Sequence, residues 1–514
     1  MTDDLPAETR PSAEPDPPPA LDDAQVSGLG DMDPEDFRAA AHAVVDAMAD
    51  YLAAIEERPV LPAIEPGSLR PSFSPSAPDG PEPLATILAD VERLVLPNAT
   101  HWQHPGFMAY FATTASAPGI IGEMWTAILG QNPMLWRTSP IGTELEQVVV
   151  GWLREALGLP PAFDGLLTDT ASTSTLIALA AAREAAGLRA ATDGLAARAG
   201  GGIPAVYASA EAHSSVEKAC MTLGLGRAAL RRLPVDREYA LQPDLLAAAI
   251  AEDRATGAVP IAVVATIGTT ASTSVDPVAA IADIAAAEGL WLHVDAAYAG
   301  AVALVPERRA PFAGWERADS LVVNPHKWLF TPLDASLLLS RRMDAVRTAF
   351  SLVPEYLRTL DRERPVHDFN EYQPQLGRRM RALKLWMLLR YFGLDGMRRR
   401  IDAHCRIAAD LAAAIDADPD FERLAPAQFS TVCLRWRPAA LVGREDEPEV
   451  RARLDTANER LMAAVNATGE VFLSHAKLHD RFAIRVAVGN LRTTERHVER
   501  AWELLRREAR RLDA

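Results

Sequence analysis

Leu292-His293-Val294-Asp295-Ala296-Ala297-Tyr298 is an apolar run that meets an acid, and Asn324-Pro325-His326-Lys327-Trp328 follows a second apolar run, Leu321-Val322-Val323. Each run has the length and composition of a buried strand. Working outward, Ala262-Val263-Val264-Ala265-Thr266 reads as the strand before them. Asp276-Pro277 opens a helix between, as cap and first-turn proline, and Gly289 ends it. This strand–helix–strand succession runs from about residue 117 to 385. It predicts an α/β unit: a mostly parallel sheet with helices on both faces.

Beyond Leu385 the pattern is helical to about Ile415. Strand-like runs follow at Thr431-Val432-Cys433-Leu434 and Phe482-Ala483-Ile484-Arg485-Val486, with a closing helix from Thr494. Residues 386–514 are therefore expected to form a small α+β domain. At the other end, residues 1–31 are rich in Pro, Asp and Ala and are expected to be a disordered tail. Asp33-Pro34 starts a helix whose apolar positions include Phe37, Val44, Val45 and Met48. Prolines then break it into an extended arm, so residues 32–116 are expected to be an N-terminal helical arm that cannot bury itself alone.

A carboxylate and a lysine at the ends of neighbouring buried strands suit pyridoxal phosphate chemistry. The lysine condenses with the cofactor's aldehyde, and the carboxylate keeps the pyridine nitrogen protonated so that the ring can draw in electrons. Either residue alone is commonplace; the pair at this spacing is not. A helix start rich in small hydroxyl residues, Thr170-Ala171-Ser172-Thr173-Ser174-Thr175, lies after the strand ending Gly165-Leu166-Leu167-Thr168. Such a start suits a phosphate, although plain N-capping uses the same residues. His213-Ser214-Ser215-Val216-Glu217 carries a capping-box pattern. The stretch from Phe350 through Pro365 is polar, lacks apolar periodicity, and reads as a long mobile loop of the kind that closes over active sites. From the residues alone, Tyr356 within it packs a loop base as readily as it donates a proton.

The run His293 to Gly300 with Asn324 to Trp328 resembles the pyridoxal-dependent group II decarboxylases, typified by aromatic L-amino acid decarboxylase. Matching short blocks extend from Met32 to Thr494. The resemblance implies a fold-type I pyridoxal phosphate transferase-like architecture and a homodimer whose arm wraps the partner subunit. It implies decarboxylation of an L-amino acid, an aromatic one above all, to the amine and carbon dioxide. It assigns pyridoxal 5'-phosphate to Lys327, with Asp295 at the ring nitrogen, His213 on the ring, Ala171 and Ser172 at the phosphate, and Thr270, Asn324 and His326 as further contacts. Tyr356 matches the loop tyrosine that protonates the substrate's α carbon. Tyr110, Phe111, Trp136 and Gly377 are the expected substrate-side residues. The family's usual proline after the phenylalanine is Ala112 here, which leaves the side-chain preference open.

Some members are oxygen-consuming aldehyde synthases, and others take non-aromatic substrates such as diaminobutyrate. Tyr356 and His213 argue against the first, because those members depart at such positions. A silent scaffold would not need Lys327, Asp295, His213 and Tyr356 together.

With 514 residues, the chain is too long for one core. A formal charge of −17 leaves no general basic face for nucleic acid or anionic membrane. The short run Arg398-Arg399-Arg400 reads as a solvated helix face. No apolar run is long enough to span a bilayer, and the N-terminus lacks a signal-peptide pattern. Cys220, Cys405 and Cys433 are widely spaced, without a metal-site pattern, and suit the cytoplasm.

Overall fold

The computed structural model describes residues 22–26, 30–195, 202–352, 366–445 and 447–513. The chain divides into a first unit ending at Ile55 and a second from Glu56 onward. In the first, the helix Pro34–Ala53 is capped by Asp33, whose carboxylate accepts the Glu35 N–H at 2.8 Å. None of its residues is buried, and Phe37, Val45 and Met48 are exposed.

In the second unit, seven strands form one sheet: β1 Asp164–Thr168, β2 Pro204–Ser209, β3 Leu230–Leu233, β4 Val259–Thr266, β5 Trp291–Asp295, β6 Ser320–Val323 and β7 Ser336–Ser340. Their order is β1-β7-β6-β5-β4-β2-β3. The strands β3, β2, β4, β5 and β6 pair in parallel, while β7 is antiparallel to both β6 and β1. Strands covered on both faces must be apolar throughout, and β5 and β6 are buried at every position. A second, antiparallel sheet is ordered β10-β11-β9-β8, with β8 Phe421–Arg423, β9 Thr431–Trp436, β10 Ser474–Leu478 and β11 Arg481–Ala487. The helix Ala382–Asp416 leads into it with a break at Gly393, and Glu495–Asp513 closes the chain.

Three local expectations are corrected. Asp276 does not cap the helix after it, which begins at Val278; its buried carboxylate accepts the N–H groups of Leu241 and Thr266, both at 2.7 Å. It clamps two chain segments instead, and burial pushes its pKa up to about 6. The first serine of the capping-box pattern, Ser214, does not cap the helix after β2; His213 itself does, and Ser214 is the first helical residue. Arg398 and Arg400 are not merely solvated: Arg398 donates to the Leu304 carbonyl at 2.9 Å, and Arg400 lies over the Phe392 ring.

Burial holds His293, His326 and His404 each down to about 4. His404 Nδ1 accepts the Trp328 indole N–H at 2.9 Å, which only the neutral ring allows. On unfolding, all three regain ordinary histidine basicity and bind protons. Their stabilisation is thus complete above about pH 6.5 and is lost as pH falls toward 4. Asp276 opposes them, binding in the folded state one proton below about pH 6 that the unfolded state releases. Three against one decides the sign: the thermal midpoint should fall steadily between pH 7 and pH 5, and a flat or rising profile would refute the neutral-core reading.

Candidate active site

β5 delivers Asp295 and β6 leads into Asn324 and Lys327. The two strands are parallel neighbours in which Asp295 lies opposite Val322. Lys327 sits on the short helix Pro325–Trp328 immediately after β6. The Asn324 N–H donates to the Ala297 carbonyl at 3.0 Å, and the Ala297 N–H donates to Asp295 Oδ1 at 3.0 Å, so lysine and aspartate are tied through one segment. His326 anchors the short helix: its Nδ1 accepts the Ala335 N–H at 3.1 Å, just ahead of β7.

Burial lowers the pKa of Lys327, the charge of Asp295 opposes that shift, and the Arg485 guanidinium adds to it. Lys327 Nζ lies 5.2 Å from the centre of the Phe111 ring, and Arg485 Cζ lies at the same distance from it. Phe111 stacks on Tyr298 with ring centres 3.8 Å apart, and Tyr298 stacks on Trp328 at 4.9 Å. Aromatic packing thus connects residue 111, the segment after Asp295 and the lysine helix.

His213 Nδ1 accepts the Ser215 N–H at 3.2 Å and lies 2.9 Å from its hydroxyl, which leaves Nε2 as the protonated nitrogen. Desolvation lowers its pKa, Asp295 raises it and Lys327 lowers it, which places the ring within reach of both charges. The helix Ala171–Ala185 has no side-chain cap at Thr170. Ala171 packs against Ala297 and Val322, so this helix start stands over the ends of β5 and β6. Ser172 and Thr270 are exposed.

Arg485 is the residue that sequence reading passed over. It is 3% exposed on β11, donates from Nε to the Ala271 carbonyl at 2.9 Å and from Nη1 to the Ser474 hydroxyl at 3.1 Å, and its buried Nη2 has no hydrogen-bond partner among the described residues. The signal was present: Phe482-Ala483-Ile484-Arg485-Val486 is an apolar strand with one cation inside.

The expected substrate-side residues separate. Phe111 is at the lysine. Tyr110, at φ 52°, is exposed and its ring faces Trp102 and Phe472, while its N–H donates to the same Ser474 hydroxyl that Arg485 uses. Trp136 and Gly377 fall in another cluster. The Trp136 N–H donates to Asp368, and Arg378 N–H donates to Asn132 Oδ1 at 3.0 Å. A Cβ on Gly377 would meet only the Asn132 amide, at 3.7 Å, an ordinary contact. Tyr356 lies outside the described residues.

That second cluster hangs on a buried ion pair. Arg378 Nη2 donates to Glu146 Oε1 and to the Leu167 carbonyl, both at 2.6 Å, with the pair almost wholly hidden from solvent. Arg378→Ala would strand Glu146 as an unpaired buried charge, and the expected loss of stability is about 3–5 kcal/mol. Urea unfolding measures it; a loss under about 1 kcal/mol would mean that Glu146 is not held as described.

The residues present fit pyridoxal phosphate. An uncapped helix start faces the strand ends, the buried Asn324 Oδ1 has no hydrogen-bond partner among the described residues, and Asp295 and Lys327 supply the acid and the amine. Comparison with known proteins agrees. Residues 66–437 match the model of the pyridoxal-dependent decarboxylase conserved domain. The chain is 39% identical over 490 residues to phenylacetaldehyde synthase of Arabidopsis thaliana, covering 94% of this chain and 97% of the relative. It is 38% identical over 490 residues to tryptophan decarboxylase 2 of Oryza sativa subsp. japonica, with coverage of 94% and 96%. The crystal structure of Oryza sativa TDC with PLP and tryptamine superposes with a TM-score of 0.88 at 36% identity, over 94% of this chain and 99% of that one. The chain belongs to the pyridoxal-dependent decarboxylases, and its cofactor is pyridoxal phosphate.

Proposed function

We propose that the protein decarboxylates an aromatic L-amino acid and releases the corresponding amine. The observation that carries this reading is the placement of Asp295 and Lys327 at the ends of adjacent parallel strands, with Phe111 packed over the lysine. The cofactor, when bound, supplies the sink for the electrons of the broken bond to the carboxylate. Asp295 would hold the proton on its pyridine nitrogen, and Ala171, Ser172, Thr270 and Asn324 its polar groups. Lys327, whose pKa burial lowers and Arg485 lowers further, would hold the cofactor through its amine and give way to the substrate's amine. His213 keeps its ring oriented by giving Nδ1 to the helix it caps. Tyr356 returns a proton to the α carbon once carbon dioxide has gone.

The aromatic preference is supported by the tryptophan decarboxylase likeness. A second reading, an aldehyde-forming reaction that consumes oxygen, has the phenylacetaldehyde synthase likeness in its favour. Incubating the holoenzyme with each common L-amino acid while quantifying amine, aldehyde and hydrogen peroxide separates the two. Amine without peroxide is the expected result, and stoichiometric peroxide with aldehyde would overturn it.

We further infer a homodimer in the cytoplasm. Ile121, Met124, Trp125 and Ile128 all lie exposed on one helix, an apolar surface of the kind that subunit contacts cover. Three buried free cysteines suit a reducing compartment. Among the described residues no helix is long and apolar enough to cross a membrane. Sedimentation of the holoenzyme at the mass of a single chain would refute the dimer.

A further inference from the structure

Asp295 stands at one end of β5, and at the other end Trp291 lies beside a cavity of about 380 Å³. The cavity opens between the helices Ala171–Ala185 and Val278–Glu288, and the side chains that face it from those helices are methyl groups, such as Ala182, Ala285 and Ala286. Longer side chains would have closed the space between the helices. A slot of this size, with methyl groups along its helix walls, lies in the range that takes a small organic molecule.

Its rim carries the opposite chemistry. Arg317, Arg341 and Arg342 all line it, against one lining carboxylate, that of Asp319. One oxygen of Asp319 accepts the Leu292 N–H at 2.9 Å, and the other lies 3.5 Å from Arg341, so this acid offsets at most one of the three charges. Arg317 is paired outward with the exposed Asp283 at 2.7 Å. Arg342 lies with its guanidinium over the Trp291 indole, 5.4 Å from the ring centre, and makes no hydrogen bond or ion pair from that group among the described residues. A chain of net charge −17 has therefore gathered cations at the mouth of an apolar slot. A guanidinium whose fork is free and whose face rests on an aromatic ring is arranged for a planar, two-oxygen anion.

We propose that this cavity binds a small carboxylate with a flat apolar body, the carboxylate on Arg342 and Arg341 and the body between the alanine walls. A bare inorganic anion would leave the slot unused, and a neutral molecule would leave the Arg342 guanidinium unanswered.

Titration calorimetry on the holoenzyme, its active site first saturated with 2-phenylethylamine, tests this with 3-phenylpropionate, its alcohol 3-phenylpropan-1-ol, and inorganic phosphate. The expected result is one 3-phenylpropionate site per chain at the cavity, with the alcohol and phosphate at least about tenfold weaker. Ala286→Leu, which fills the mouth from an exposed position, and the pair Arg341→Gln with Arg342→Gln should each weaken that binding about tenfold or more. Because these residues lie at the far end of β5, kcat/KM should stay at the wild-type value, which also shows that the variants are folded. Binding unchanged in both variants would place the ligand elsewhere and overturn the proposal. So would phosphate binding as tightly as the carboxylate, or no heat from 3-phenylpropionate at about 10 mM.

Discussion

Lys327→Ala is expected to eliminate amine production, by more than about 10⁴-fold, while leaving the protein folded. The loss is chemical. An amine must stand at that position to bond the cofactor's aldehyde and to exchange with substrate, and alanine offers none. The fold should survive because Lys327 Nζ makes no hydrogen bond among the described residues. Its neighbours keep theirs: Asn324 to Ala297, His326 to Ala335, Trp328 to His404. Burial already disfavours the charged form of this amine, so replacing it by alanine removes a desolvation cost, and the thermal midpoint of the cofactor-free protein should hold or rise. Amine formation by the variant at the wild-type rate would show that another lysine carries the cofactor.

Tyr356→Phe is expected to lower amine formation by about 10²–10⁴-fold, the usual contribution of a placed general acid. As the proposed proton donor, its phenol would be needed only after carbon dioxide has left. The variant should therefore still bind substrate and release carbon dioxide, because the aromatic ring is retained. With no proton arriving at the α carbon, dioxygen can react there instead, and product should shift from amine toward aldehyde with ammonia and hydrogen peroxide. Measuring all four products against carbon dioxide makes the test internal. Unchanged amine and no peroxide would remove Tyr356 from the reaction and leave His213 as the donor to test.

Asp295 and Lys327 were legible because each stands where an apolar run ends, and burial leaves such runs little compositional freedom. Their register was not: that Asp295 lies opposite Val322 depends on strand order, which residues 250 to 340 do not state locally. β7 was missed for the same reason. Ser336-Leu337-Leu338-Leu339-Ser340 carries no mark that it runs against its neighbours. Asp276-Pro277 misled because a capping aspartate and a buried clamp have the same letters, and only the partners at Leu241 and Thr266 distinguish them. Arg485 went unread because its meaning lies in contacts with Ala271, Ser474 and Phe111, the last 374 residues away in the chain. Trp136 and Gly377 were grouped with Phe111 by resemblance alone; the bond Trp136 makes to Asp368 and the Asn132 amide beside Gly377 join segments far apart in the chain and leave no local mark.

The position of Arg485 bears on how the enzyme comes into being in a cell. Lys327 and Asp295 leave the ribosome with their strands already made, but the cation beside the lysine is encoded some 160 residues later, on the penultimate element of the chain. At about 5–20 residues per second, that is a delay of roughly 8–30 s. Throughout it the nascent chain has the lysine without the β11 cation that adds to burial in lowering that lysine's pKa. A message cut short before Arg485 would therefore yield a chain that has the lysine without this second pKa-lowering influence, and pyridoxal phosphate is expected to load best once translation has passed β11.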